Sequence, residues 1–310
     1  MDSEHASPLP ADIARSIQAI RDDREHGASW LARAAARMLH RLTEARDDLP
    51  PEAWETALRA AAQALVAARP SMAPVANTAA RIWDAGRSGS AAQRRVAARD
   101  MAARLASLDE RTRQLLVTHA EKCVTGDVYT MSRSGTVEDV LRALAERKTI
   151  GRVIVAESRP GAEGIALGRA LAASGVAVTV VADAASGDMI GEVACIVLGA
   201  DSLRADGSLV NKVGSYPLAL VAREAGKPVY TLCETLKIAA PDFPLVLEEM
   251  DPAEIVPDTD ARLSARNPYF DVTPAHLIAA YITEEGLLDR DAIARRAQNV
   301  GAVLARLRSA

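Results

Sequence analysis

Cysteines are scarce in this sequence, and their spacing is not that of a metal site or a disulfide framework. The 310 residues contain three of them, Cys123, Cys195 and Cys233, an odd number without a CxxC pair. Structural zinc sites and disulfide-stapled folds both need paired cysteines. We therefore expect reduced thiols without a zinc site or a disulfide framework. We also expect no other bound metal and no cofactor.

Two further absences concern location and partners. The acidic start of the chain, MDSEHASPLP, lacks the apolar segment of a signal peptide. No apolar run reaches the roughly 20 residues of a membrane span. These absences predict a cytoplasmic protein without a membrane partner. The formal net charge of −4 gives no electrostatic basis for nucleic acid as the main partner.

The composition of the chain changes along its length. All three tryptophans lie in the first third, and the runs rich in valine and isoleucine come later. Apolar residues in the first part follow helical spacing, as in Ile13, Ile17 and Ile20. One long helix is expected from Ala91 to Lys122. Residues 1–125 are therefore predicted to form a helical N-terminal domain.

Short apolar runs characterise the rest of the chain. Val153-Ile154-Val155, the segment from Val176 to Val181 and Cys195-Ile196-Val197-Leu198 are separated by stretches long enough for helices. Strands that are apolar on both faces belong to a parallel sheet covered by helices. Residues 126–310 are therefore predicted to form a Rossmann-like, doubly wound α/β domain.

Hydroxyl and cationic groups follow the predicted strands at their carboxyl ends, where open parallel sheets bind ligands. Ser132 and Ser134 precede a helix, so hydroxyls and backbone amides there suit a phosphate. Gly214-Ser215 opens another helix and offers a second place for an anion. Arginine and lysine add the positive charge that phosphate binding needs. The cations at strand ends are Arg133, Arg159 and Lys212.

Carboxylates also follow the strands, at Glu157, Asp183 and Asp201. They would repel a phosphate, but they would accept hydrogen bonds from sugar hydroxyls or move protons. We therefore expect these groups to meet the cations in one cleft that binds a phosphorylated sugar.

Each feature also has a simpler explanation, and these alternatives stay open. A Ser-Arg-Ser segment before a helix is a common helix cap. Asp201 would equally well cap a turn. Gly161, Gly164 and Gly168 miss the GxGxxG spacing of dinucleotide sites, and close helix–strand packing explains them.

Several segments resemble the translation initiation factor 2B alpha/beta/delta family, which includes methylthioribose-1-phosphate and ribose-1,5-bisphosphate isomerases. They are TMSRSGTVEDVL (130–141), ESRPGAEG (157–164), LGADSLRADGSLVNKVGSYPLALVARE (198–224) and NPYFDVTPAHLI (267–278). Their order and spacing cover most of the chain after residue 130. HGASWLARAA (26–35) and RPSMAPV (69–75) match more loosely.

The resemblance implies roles for individual residues. In the isomerases a cysteine and an aspartate convert an aldose phosphate into the ketose; the aspartate corresponds to Asp201 and the cysteine to Ser132. A thiol of pKa about 8.5 can be tuned to act near neutral pH, whereas a serine hydroxyl is far less acidic. An Arg-Gly-Ala of the isomerases corresponds to His26-Gly27-Ala28, where a protonated imidazole would keep the phosphate contact. Together with the groups at the strand ends, the predicted substrate-binding residues are His26, Gly27, Ala28, Arg69, Arg133, Ser134, Glu157, Arg159, Asn211 and Lys212.

Two functions stay open on the sequence alone. One is a sugar-phosphate isomerase that acts on a pentose such as ribose 1,5-bisphosphate through Asp201 and an atypical Ser132. The other is a non-catalytic regulatory protein, like the initiation-factor branch, that senses a sugar phosphate through assembly. Both predict the same pocket with a small-molecule sugar phosphate as partner. The resemblance also implies a homodimer or a larger homo-oligomer.

Overall fold

The fold comes from a computed structural model, which describes residues 9–23, 26–45, 49–69, 72–106, 110–247, 249–258 and 262–310. These residues fall into two compact units. The first lies within Met1–Asp109, Ile238–Pro244 and Arg296–Ala310, and the second lies within Glu110–Lys237 and Leu245–Arg295. Each unit has a buried apolar cluster of its own.

The first unit is mainly helical. Its helices are α1 (Ala11–Asp22), α2 (Ala28–Ala45), α3 (Pro51–Ala68), α4 (Ala73–Ala85) and α5 (Ala91–Leu105). The apolar stripe on α1, made of Ile13, Ile17 and Ile20, is buried, as its spacing predicts. Ala35 on α2 and Ala61 on α3 are fully buried. Their small side chains allow neighbouring helices to approach closely.

The end of the chain also belongs to the core of the first unit. A C-terminal helix spans Arg290–Ser309, and its Leu304 and Leu307 lie in the same buried cluster as the residues of α1 to α5. Gln63 on α3 donates a 2.8 Å hydrogen bond to the carbonyl of Leu307. Phe243 joins this cluster as well. The unit is therefore assembled from segments that are far apart in sequence.

The prediction of one helix from Ala91 to Lys122 is wrong. A separate helix, α6 (Glu110–Ala120), follows α5. The physical reason is that the two helices pack into different cores. Ala98 and Ala102 of α5 are buried in the cluster of the first unit, whereas Leu116 of α6 is buried in that of the second.

The second unit is built on strands. They are β1 (Gly126–Met131), β2 (Ile150–Ala156), β3 (Val178–Val181), β4 (Cys195–Leu198), β5 (Ser202–Leu203), β6 (Leu209–Lys212), β7 (Val229–Leu232), β8 (Phe270–Thr273), β9 (Ala280–Thr283) and β10 (Gly286–Leu288). A seven-stranded sheet has the order β10-β9-β7-β4-β1-β2-β3. All its pairs are parallel except that of β10 with β9. The predicted doubly wound parallel sheet is confirmed.

Helices connect the strands of this sheet, as the sequence predicts. They are α7 (Gly135–Glu146), α8 (Glu163–Ala173), α9 (Ser186–Met189) and α10 (Ser215–Glu224). Among the described residues of both units, no helix combines the length and the hydropathy that crossing a bilayer requires.

The strand order of the large sheet reverses at β1. From β1 the chain proceeds to β2 and β3 on one side, whereas β4 and β7 lie on the other. Such a reversal leaves a crevice beyond the carboxyl ends of the two central strands, which is where ligands bind in this class of fold. The segments that begin at Ser132, after β1, and at Gly199, after β4, border this crevice.

A small antiparallel sheet, β5-β6-β8, accompanies the large one. In its register Asn211 pairs with Asp271 and Lys212 pairs with Phe270. The apolar runs of the sequence do not predict this sheet, because β5 has only two residues and β6, Leu209-Val210-Asn211-Lys212, is half polar. The sheet holds Asn211 and Lys212 on a hydrogen-bonded strand.

Glycines bring α8 into direct contact with the large sheet. A Cβ atom at Gly164 would lie 1.8 Å from the carbonyl oxygen of Ala156 in β2. A Cβ atom at Gly168 would lie 2.8 Å from a methyl carbon of Val180 in β3. Close helix–strand packing therefore explains these two glycines.

Replacing Gly164 by alanine is expected to destabilise the fold, because α8 would have to move away from β2. We expect a loss of about 3 kcal/mol in the free energy of unfolding, measured by urea denaturation. Gly187→Ala is the matched control, since a Cβ atom at that helical position meets open space. A loss for Gly164→Ala no larger than that of the control would contradict this packing.

Candidate functional site

Hydrogen bonds join the ends of β1, β2 and β3. The amide of Ser132, directly after β1, donates to Oγ of Ser158 at 2.7 Å. The amides of Ser158 and Arg159, after β2, donate to the two carboxylate oxygens of Asp183, each at 2.7 Å. Both oxygens of Asp183 are thus engaged in holding a loop. This structural role contrasts with the sugar contact considered from the sequence.

Two serines at these strand ends have an uncommon backbone conformation. Ser132 has a φ of 58° and Ser158 a φ of 65°. Residues other than glycine rarely adopt such angles, and each instance costs on the order of 1–3 kcal/mol. The hydrogen bonds between the loops offset this strain. Strain of this kind is concentrated at functional sites, which favours the crevice at β1 as the site.

The loops after β1 and β4 touch each other. A Cβ atom at Gly199, directly after β4, would lie 2.9 Å from the Cβ atom of Ser134. Ser134 is the N-cap of α7, and its Oγ accepts a hydrogen bond from the amide of Val137 at 3.4 Å. Ser134 is therefore a helix cap, which is the simpler explanation of the Ser-Arg-Ser segment. Its role as a phosphate ligand stays a prediction.

The small sheet brings Asp201, Asn211 and Lys212 to the same region. The amide of Asp201 donates to the carbonyl of Val210 in β6 at 3.0 Å. The buried Asn211 side chain donates to Oγ of Ser215 at 2.9 Å, and that hydroxyl donates to the carbonyl of Lys212 at 2.7 Å. The polar groups of this segment are thus held by one another.

Lys212 is a buried cation with an unusual set of neighbours. It is 3% exposed, and its Nζ lies 3.0 Å from Oε1 of Glu163. The same Nζ lies 3.4 Å from the ring centre of Tyr269, whose hydroxyl donates to Glu163 Oε1 at 2.8 Å. Although Glu163 is its ion-pair partner, Nζ has no well-aligned hydrogen-bond acceptor among the described residues. We call Lys212, Glu163 and Tyr269 the Lys212 cluster.

The charge of Asp201 reaches this cluster. Burial raises the pKa of Tyr269, and the hydrogen bond to Glu163 and the negative charges of Glu163, Glu254 and Asp201 raise the pKa further. Tyr269 therefore stays protonated at neutral pH and serves as a donor. Glu163 and Tyr269 are not among the site residues predicted from the sequence, although both lie in segments that carry the family resemblance.

The two predicted arginines differ from Lys212 in their surroundings. The side chain of Arg133 is 54% exposed, and its Nε lies 3.6 Å from a carboxylate oxygen of Glu138 on α7. Arg159 is exposed and Glu157 is half-buried. The strand-end cations therefore do not form one buried cluster, and the roles of Arg133, Arg159 and Glu157 in binding stay predictions.

The helix α10 does not present an open anion site. Oδ2 of Asp271 accepts hydrogen bonds from the amides of Gly214 at 2.8 Å and Tyr216 at 3.1 Å. Burial raises the pKa of Asp271 to about 6, although the two amide hydrogen bonds act in the opposite direction. The second anion position expected at Gly214-Ser215 is therefore occupied by a carboxylate of the chain itself.

The predicted site residues of the first unit are connected through Asp23. His26-Gly27-Ala28 lies at the start of α2, and Nδ1 of His26 lies 2.8 Å from the Asp23 carboxylate. The His26 ring stacks on Trp30, with 3.7 Å between the ring centres. The buried Arg69 side chain donates to the carbonyl of Asp23 at 2.6 Å. The phosphate contacts implied for His26 and Arg69 stay predictions.

The cysteines offer no substitute for the thiol that the family resemblance implies at the position of Ser132. All three are free. Burial raises the pKa of Cys195 to about 11 and also raises the pKa values of Cys123 and Cys233. Thiols with raised pKa values are poor nucleophiles and poor bases near neutral pH. Within the described part of the chain, no group of three or more His, Cys, Asp or Glu side chains is placed to hold a metal.

Comparison with known proteins identifies relatives of this chain. The model of the Initiation factor 2 subunit family matches residues 24–290. A ribose 1,5-bisphosphate isomerase of Haloterrigena turkmenica is 33% identical over 303 residues, which cover 89% of this chain and 90% of that protein. The crystal structure of translation initiation factor eIF-2B from Pyrococcus horikoshii has a TM-score of 0.73 at 31% identity, and covers 90% of this chain and 98% of that one. A methylthioribose 1-phosphate isomerase from the same organism has a similar fold, with a TM-score of 0.71 at 22% identity over 94% of this chain and 88% of that one.

Fold and site together define an α/β protein with a helical unit and a crevice at the centre of a doubly wound sheet. The chain belongs to the Initiation factor 2 subunit family, the family of the 2B subunits and their isomerase relatives. The resemblance found in its sequence segments is confirmed.

The buried carboxyl of Asp271 is expected to make stability depend on pH. Because its pKa in the folded protein, about 6, exceeds the roughly 3.9 of an unfolded aspartate, its stabilising contribution is full below pH about 4. This contribution is lost as pH rises through 6. The free energy of unfolding of the wild type, relative to Asp271→Asn, should fall by about 2 kcal/mol between pH 4 and pH 7. Urea denaturation of both proteins at several pH values measures this difference in the free energy of unfolding. A difference that is constant or rises with pH would contradict the raised pKa of Asp271.

Proposed function

We propose that this chain binds a phosphorylated pentose, such as ribose 1,5-bisphosphate, in the crevice beyond β1 and β4, and that Lys212 contacts a phosphate group. The observation that carries the proposal is the buried Lys212 ammonium, which lacks an aligned acceptor among the described residues. Buried polar groups almost always have a hydrogen-bond partner, and charge-assisted bonds to phosphate are strong. A phosphate oxygen is an acceptor of the required kind.

The other predicted residues complete the proposed site. Asp201 is close enough to the Lys212 cluster for its charge to act on Tyr269, so a sugar held by its phosphate at Lys212 would have a carboxylate nearby. The relatives named ribose 1,5-bisphosphate isomerase support the choice of a pentose bisphosphate. The proposed binding residues of the second unit besides Lys212 are Arg133, Ser134, Glu157, Arg159 and Asn211. The phosphate contacts implied for His26, Gly27, Ala28 and Arg69 of the first unit stay a separate prediction.

The proposed reaction is the conversion of the aldose phosphate into its ketose. This isomerisation moves hydrogen between neighbouring carbons, so it needs groups that take up and return protons. Asp201 is proposed as one of these groups, and Ser132 occupies the position of the second. General acid–base catalysis contributes roughly 10²- to 10⁴-fold, and a serine hydroxyl supplies little of it near neutral pH. We therefore expect slow turnover.

Binding without turnover is the second candidate function. The presence of Ser132 in place of the cysteine favours it, because it removes a titratable group. In this case the chain would sense a sugar phosphate, and assembly into a homodimer or larger homo-oligomer would be the output. The two candidates share the pocket and differ only in chemistry.

Asp201→Asn separates the two candidates. With ribose 1,5-bisphosphate as substrate, the variant should lose ketose formation by about 10²-fold or more, because the amide neither takes up nor returns a proton. Its affinity for the sugar phosphate, measured by calorimetry, should change much less. Ketose is followed by NMR of the reaction mixture.

Ser132→Cys is the matched variant that is expected to increase ketose formation, where Asp201→Asn decreases it. It should raise ketose formation, since a thiol is far more acidic than a hydroxyl. Tight binding by the wild type, with no ketose from either the wild type or Ser132→Cys, would support the sensor. Absence of binding to every phosphorylated pentose tested would contradict both candidates.

A further inference from the structure

Glu163 stands at the start of a helix, but its carboxylate interacts with Lys212. It is the first residue of α8, whose N-cap residue, Ala162, provides no side-chain cap. Oε1 accepts the hydrogen bond from Tyr269 and lies 3.0 Å from Lys212 Nζ. Oε2 is buried without a hydrogen-bond partner among the described residues. Within the part of the chain that the structure describes, the carboxylate is therefore held by Tyr269 and Lys212 alone.

Gly161 leaves the space in which this arrangement fits. A Cβ atom there would lie 3.1 Å from the carboxyl carbon of Glu163 and 3.2 Å from the hydroxyl of Tyr269. Both distances are shorter than ordinary van der Waals contact. The loop before α8 thus accommodates the Glu163 carboxylate and the Tyr269 hydroxyl next to each other, in contact with Lys212.

The ion pair removes the positive charge that a phosphate would need. With Glu163 ionised and Lys212 protonated, the pair has no net charge. A phosphate that approaches Lys212 also approaches Glu163, and the juxtaposition of like charges is strongly unfavourable in a partly buried site. Tyr269 further hinders the approach of a phosphate to Lys212, because its hydroxyl donates to Oε1 of Glu163 and its ring covers Nζ.

We propose that Glu163 is an internal counter-ion of Lys212, which a phosphate group displaces when it binds. Glu163 thereby sets the affinity and the selectivity of the site: a ligand binds only if its phosphate interacts with Lys212 more strongly than the carboxylate does. This inference rests on the proposed function, since it concerns the same cation. Through this competition, the Lys212 cluster excludes weakly charged ligands.

Glu163→Gln tests the inference with the smallest change. The glutamine keeps a carbonyl oxygen for the Tyr269 hydroxyl and loses only the charge. In the full chain, calorimetry with inorganic phosphate and with ribose 1,5-bisphosphate should show affinity at least about 10-fold higher than in the wild type. The matched control is Glu192→Gln. Glu192 pairs with Arg152 at 2.9 Å and precedes β4, at the opposite end of the sheet, so its loss should leave both affinities unchanged.

A second variant, Tyr269→Phe, tests the inference if Glu163→Gln does not fold because Lys212 is left unpaired. Tyr269→Phe removes the hydrogen bond that holds the carboxylate and keeps the aromatic ring. We expect it to bind phosphate about three-fold more tightly, from the loss of part of one hydrogen bond. In a Lys212→Met background, Glu163→Gln should bring no gain at all, because the cation on which the gain depends is absent.

The outcomes separate this inference from the proposed function. If the wild type binds phosphate and neither Glu163→Gln nor Tyr269→Phe binds it more tightly, the inference is overturned. The proposed function is unaffected by that result. A gain that persists in the Lys212→Met background would overturn the inference too, because the effect would not act through Lys212. Absence of binding in the wild type and in both variants would overturn both proposals.

Discussion

A buried ammonium group must have a counter-charge, and in this protein that requirement links three separate segments. Transfer of a lysine from water to a protein interior is strongly unfavourable unless the charge is paired. Lys212 on β6 is therefore paired with Glu163 at the start of α8, and both contact Tyr269, just before β8. The small antiparallel sheet holds β6 and β8 side by side, and this pairing places Lys212 next to Tyr269.

The crevice beyond β1 and β4 owes its form to the order of the large sheet. Because the strand order reverses at β1, the chain continues from β1 and from β4 toward opposite sides of the sheet, which leaves a crevice at their carboxyl ends. Hydrogen bonds from Ser132 to Ser158 and from Ser158 to Asp183 hold the strained strand ends in place. Rigid loops around a charged cluster are what the binding of a small phosphorylated ligand requires.

Some of this architecture follows from sequence patterns, and some of it does not. Continuous apolar runs predict the parallel sheet, since only strands covered on both faces tolerate them. The apolar spacing of the sequence does not reveal the break between α5 and α6, because it does not show that the two helices pack into different cores. The small sheet is not predicted because β5 has only two residues and because β6 and β8 mix polar with apolar residues. Positive residues at strand ends suggest a cationic cleft, but sequence does not reveal that Glu163 compensates Lys212 or that Asp271 occupies the start of α10.

The most direct measurement is a crystal structure of the full chain with ribose 1,5-bisphosphate bound. The account predicts a phosphate oxygen within hydrogen-bond distance of Lys212 Nζ, with the Glu163 carboxylate turned away from it and the sugar next to Asp201. A sugar phosphate bound elsewhere on the molecule, with the Lys212–Glu163 pair intact, would contradict it.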